Sequence, residues 1–184
     1  TKVTQPAVFL HSVVLAKVLG VKPDAVAGHS LGEFSALTVA GALSFEDGLR
    51  LVSKRAMAMQ KCCESQPGAM AAILGLDDAV VEQACDQIEG VVVAANYNCP
   101  GQLVVAGLKT TLPDFLSDVA ANGGRAVPLN VSGGFHSPFM ESASARLHDV
   151  LETMDVKEPT VPVYANYTAE PYTKETAKEL LTQQ

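Results

Sequence analysis

The chain has 184 residues, 48% of them hydrophobic and 18% charged, with 13 Lys and Arg against 20 Asp and Glu for a net charge of −7. That is enough apolar sequence to bury a substantial core, while no apolar run reaches the length of a membrane span and residues 1–6 lack the layout of a secretion signal. The acidic balance, without any basic run interleaved with aromatics, argues against nucleic acid as a partner. The cysteines, at 62, 63, 85 and 99, form no C-x-x-C pair and have no histidine at metal-ligand spacing, which points to reduced thiols in a cytoplasmic protein and to no metal site.

In chain order, residues 7–19 carry apolar side chains on a helical period and stop at Gly20, predicting a helix that packs on a sheet. Its His11 reads as a core or surface residue. Residues 25–27 form a short apolar run, expected to be a buried parallel strand, and residues 33–40 favour a helix. Between them lies Gly28-His29-Ser30-Leu31-Gly32, a G-x-S-x-G pattern in the strand-turn-helix setting of a nucleophile elbow. Three fixed positions in five also mark tight turns with no chemistry, so the flanking elements carry the functional reading. At such an elbow Ser30 sits in strained backbone, both glycines are expected to be needed because a Cβ would collide with neighbouring chain, and the Leu31 N–H is the first donor to an oxyanion.

Ser44, with Asp47 three residues on, predicts the start of the next helix, whose buried stripe is Leu49, Val52, Ala56 and Met59. Arg50, Lys54, Arg55 and Lys61 occupy its other faces, and spacing does not rank Arg55 above them. From 68 to 129 the pattern becomes strand 69–76, helix 78–88, strand 91–96, a Pro-Gly turn, strand 102–106, helix 112–121 and strand 125–129. This βαββαβ order predicts a self-contained ferredoxin-like lobe. Beyond it, Gly133 and Gly134 allow close backbone approach, Ser137-Pro138 opens another helix, and His136 sits at the loop-to-helix junction. His136 is the candidate base for Ser30. His29 is next to Ser30 and directed away from it, His148 lies inside the following helix, and Asp77, Asp86 and Asp118 fall in surface elements of the lobe, leaving a Ser–His dyad.

The extended serine motif through Leu37, the helix with Arg55, the Asn96–Gln102 turn and Phe135-His136 together resemble the malonyl-CoA:acyl carrier protein transacylase family along the whole chain. The resemblance implies that Ser30 is acylated, that His136 is the base and that Arg55 pairs with the free carboxylate of a malonyl group. It implies malonyl-CoA and acyl carrier protein as partners, no cofactor, and neither nucleic acid nor membrane. It also implies an α/β fold, an α/β-hydrolase-like large lobe (1–67 and 131–184) with an inserted ferredoxin-like small lobe (68–130). Phe135 before the histidine resembles the malonyl-selective pattern. Relative to the family, a first strand with its glutamine-containing loop and the final strands and helices are expected outside residues 1–184. Two other readings stay open from the residues: an acyl-thioester hydrolase on this scaffold, and an inactive fragment with a docking role.

Overall fold

A computed structural model describes residues 1–184. The chain forms two compact units, one of Thr1–Ala58 with Ala143–Gln184 and one of Met59–Ser142.

In the first unit, α1 (Thr4–Leu19) buries Gln5, Phe9 and Val13, one residue per turn, and its last turn closes with the Gly20 N–H on the Ala16 carbonyl. The expected packing on a sheet is replaced by packing on α2 (Gly32–Val39), because the strands here are too short to offer a face. β1 is only Val26–Ala27, paired in parallel with β6 (Val163–Tyr164). β1 was expected to be buried; within residues 1–184 Val26 is half-buried and Ala27 exposed. α2 is buried continuously from Glu33 to Leu37. Its Phe34 and Leu37 join Phe9 of α1, Leu51 of α3 (Phe45–Ser65) and Leu151 of α6 (Glu141–Glu152) in one cluster, all fully buried. Each such side chain contributes about 1.5–3 kcal/mol relative to exposure. At the start of α3 the Ser44 Oγ accepts from the Asp47 N–H at 3.0 Å and donates to Asp47 Oδ2 at 2.8 Å, half of the predicted capping box. α7 (Ala177–Gln183) closes the unit through Leu181.

The second unit follows the order β2 (Gly68–Leu74), α4 (Asp78–Gln87), β3 (Val92–Cys99), β4 (Gln102–Leu108), α5 (Leu112–Ala121), β5 (Arg125–Pro128). The strands lie as β3-β4-β2-β5, antiparallel throughout. Ile73, Leu103, Val105, Val81, Phe115 and Val119 form the core between the sheet and the two helices. The unit extends past the expected lobe at both ends, because the loop before the short 3-10 turn Pro138–Met140 packs on the end of α3. A methyl group on Gly133 would lie 2.4 Å from Cys63 Sγ, and one on Gly68 would lie 2.4 Å from the Gly134 nitrogen.

Candidate active site

Ser30 lies between β1 and α2 with φ at +51°, a left-handed conformation that costs a non-glycine residue about 1–3 kcal/mol and persists only where surroundings impose it. The chain doubles back here so tightly that a Cβ on Gly28 would fall 1.9 Å from the Gly32 carbonyl carbon and 2.4 Å from the Glu33 nitrogen. Gly32 departs from the expectation. No atom of residues 1–184 lies within 4 Å of its Cβ position, so among these residues sterics require glycine on one side of the serine only. The N–H groups of Gly32, Glu33 and Phe34 donate to the carbonyls of His29, Ser30 and Leu31 at 2.9, 3.1 and 3.2 Å. The Leu31 N–H makes none of these turn bonds and stands at the electropositive start of α2.

Tertiary structure separates Arg55 from the other cations of α3: Arg50, Lys54 and Lys61 are exposed, whereas Arg55 is 5% exposed. Its Nη2 donates to Ser30 Oγ at 3.1 Å and to Gln184 Oε1 at 2.8 Å, and its Nη1 donates to Gln5 Oε1 at 2.6 Å. The guanidinium also lies 5.4 Å from the centre of the Phe34 ring, a cation–π contact strengthened by desolvation. The oxygens it holds are two amides and a hydroxyl, all neutral. Burial pulls Arg55 down to about 10, countered in part by the charge of Glu33, so it remains a cation at neutral pH.

Glu33, in the first turn of α2, is fully buried. Its Oε1 accepts from the Asn166 N–H and the Tyr172 hydroxyl, each at 2.5 Å, and its Oε2 accepts from Gln184 Nε2 at 2.5 Å. Burial raises its carboxyl above the usual value, with the Tyr172 and Asn166 hydrogen bonds and the Arg55 charge pulling the other way. Burial and the Glu33 charge push the Tyr172 hydroxyl upward, so it stays protonated as a donor. Asn166 Oδ1 in turn accepts from the Ser30 N–H at 2.5 Å.

His136 belongs to the other unit. It too has a left-handed backbone, φ at +52°, and is half-buried. Its loop is pinned by the Ser137 Oγ, which donates to the Gly134 carbonyl at 2.6 Å, and by Phe135, which packs against Met70, Val104 and Ala106. His11, His29 and His148 are exposed. The four cysteines are free thiols, burial pushes Cys85 up to about 11, and no cluster of His, Cys, Asp or Glu is arranged to hold a metal. No helix is long and apolar enough to cross a membrane.

Ser30 and Arg55 are thus brought together, with Leu31 beside them. Gln5, Glu33, Asn166, Tyr172 and Gln184 were not singled out from sequence. For Glu33 a signal was present, the one charged residue of α2, a turn past the serine, but it reads equally as an ordinary acidic group in a helix's first turn. Asn166 lies 136 residues from Ser30, beyond any local pattern.

The family model described as "Acyl transferase domain" matches residues 1–183. The malonyl CoA-acyl carrier protein transacylase of Bacillus subtilis is 44% identical over 189 residues, covering 98% of this chain and 59% of that protein. Among solved structures, the acyl-carrier-protein S-malonyltransferase of Burkholderia pseudomallei superposes with a TM-score of 0.93 at 39% identity, over 100% of this chain and 62% of that one. A malonyl-transacylase solved in complex with its type II PKS acyl-carrier protein gives 0.91 at 34% identity, over 100% and 62%. The chain therefore spans about three fifths of the length of the relatives it matches. With an α/β fold shared across its whole length and a family match that takes in elbow, arginine and histidine alike, the chain belongs to the acyl transferase domain family.

Proposed function

We propose that this chain carries the acyl-transfer centre of an enzyme that moves a malonyl group from malonyl-CoA to the phosphopantetheine thiol of acyl carrier protein, in fatty acid or polyketide synthesis in the cytoplasm. The observation that carries the reading is Arg55. A buried guanidinium 3.1 Å from the Ser30 hydroxyl, held by neutral oxygens, offers a planar fork to an acyl group that ends in a carboxylate. A hydrolase of general thioesters gains nothing from such a group.

In this reading Ser30 Oγ attacks the thioester carbonyl as His136 takes its proton, and the oxyanion is met by the Leu31 N–H. The coenzyme A thiolate leaves with the proton from His136, and a malonyl-serine ester remains. The carrier thiol then gives its proton to His136 and attacks the ester carbonyl; collapse of that adduct returns the proton to Ser30. These groups account for every bond made and broken, and the cycle calls on no cofactor. The left-handed backbone at both Ser30 and His136 supports their roles, since strain of this kind gathers at reacting groups. We further read residues 68–130, within the unit Met59–Ser142, as a ferredoxin-like lobe, supported by its strand order, inserted in an α/β-hydrolase-like lobe, supported by the elbow beside a parallel strand pair.

The test is the acyl preference of Arg55→Ala. Losing the charged hydrogen bonds to a carboxylate is expected to slow malonyl loading of Ser30 by about 10- to 100-fold while acetyl loading is kept or rises. Mass spectrometry of the Ser30 peptide reads both. Equal loss for the two acyl groups, or label that survives Ser30→Ala, overturns the proposal.

A further inference from the structure

We infer that Glu33 and Asn166 are positioning residues that lock the Ser30 elbow through a closed ring of hydrogen bonds. The inference rests on the reading of Ser30 as the nucleophile. Three bonds make the ring: the Ser30 N–H donates to Asn166 Oδ1, the Asn166 N–H donates to Glu33 Oε1, and the Glu33 N–H donates to the Ser30 carbonyl at 3.1 Å. Both backbone polar groups of the strained serine are thereby fixed, one by the turn itself and the other from β6's far end, in a segment remote in sequence.

Backbone strain and carboxylate burial both give the ring a purpose. A serine at φ +51° relaxes unless its surroundings over-determine it, and Gly28 alone supplies room rather than restraint. A fully buried carboxylate is also a costly residue to keep, and a well-packed apolar side chain is commonly as stable or more so. Glu33 is not within the group that touches substrate in the proposed cycle. What it does in the structure is anchor Asn166 by its main chain and the Tyr172 hydroxyl by the same oxygen, which leaves Asn166 Oδ1 aimed at Ser30. The Ser30 N–H is occupied in this way, so the donor left for the oxyanion is that of Leu31.

Asn166 is exposed and is not a hydrogen-bond partner of Arg55, so Asn166→Ala, which changes no charge, separates the ring from the charge balance around the arginine. In the full-length protein, Asn166→Ala is expected to raise hydrogen exchange at the Ser30 amide and to lower the single-turnover rate of Ser30 acylation by malonyl-CoA, each by about tenfold, the value of one lost hydrogen bond. KM for malonyl-CoA stays unchanged. Asn166→Asp, which keeps an oxygen at the Oδ1 position, recovers the slow exchange. Unchanged exchange in Asn166→Ala overturns the ring, and faster exchange with undiminished acylation overturns its positioning role. A parent protein whose Ser30 exchange responds to these variants but which takes up no malonyl group leaves the ring standing and removes the malonyl reading alone.

Discussion

Gly28→Ala and Gly32→Ala, two identical changes placed symmetrically about Ser30, are expected to have different outcomes. At Gly28 the added carbon would sit 1.9 Å from the Gly32 carbonyl carbon, 2.1 Å from its oxygen and 2.4 Å from the Glu33 nitrogen. All three are backbone atoms, so no side chain can rotate out of the way. Reaching an ordinary contact of about 3.4 Å requires the turn to open by more than 1 Å, against a typical cost of about 1–3 kcal/mol for overpacking in a site that can relax. The start of α2 would move with it, carrying Ser30 and the Leu31 N–H, and a displacement of about 1 Å at a reacting group costs on the order of 10²-fold in rate. At Gly32 the same carbon meets no atom of residues 1–184 within 4 Å, and φ is not positive. Thermal unfolding and single-turnover acylation of the two full-length variants provide the comparison. Gly28→Ala should lose both stability and at least a hundredfold in acylation, with Gly32→Ala near the parent in both. Comparable losses at the two positions would refute the steric argument.

His136→Ala is expected to slow Ser30 acylation by about 10²–10⁴-fold, the usual contribution of a positioned base, with a flattened pH–rate profile; an unchanged rate assigns the proton to another group. Glu33→Gln gives a pH-dependent stability difference. Because burial raises the folded carboxyl above its usual value, Glu33 contributes most when protonated in both states, below the unfolded pKa, and that contribution is lost as pH rises through the folded pKa. The destabilisation caused by Glu33→Gln should therefore be largest in acid and shrink toward neutrality in urea titrations. A penalty that grows with pH would mean that Arg55 and the three donors outweigh burial.

Much of the architecture was legible in the sequence because its signals are local. The Pro-Gly turn and the apolar periods place α4, α5 and the four strands of the second unit within a few residues of where they lie, each element being decided by its own residues' backbone preferences. The elbow was legible for the same reason, since strand, tight turn and helix follow one another within fifteen residues. Gly32 shows where local logic stops: the motif presents its two glycines alike, but which of them faces neighbouring chain depends on how the turn folds back. Arg55 shows it again. Four cations along one helix share charge and helical setting, and only the approach of Gln5 from α1, Phe34 from α2 and Gln184 takes one of them out of water while three stay in it. The Ser30–Asn166–Glu33 ring is the extreme case, because its bonds join residues up to 136 apart, and a hydrogen bond across that separation exists only once β1 and β6 have paired. Sequence by itself determined what each segment could become; the pairing and packing of distant segments decided which charged groups are buried, because desolvation is set by what surrounds a residue in space rather than by its neighbours along the chain.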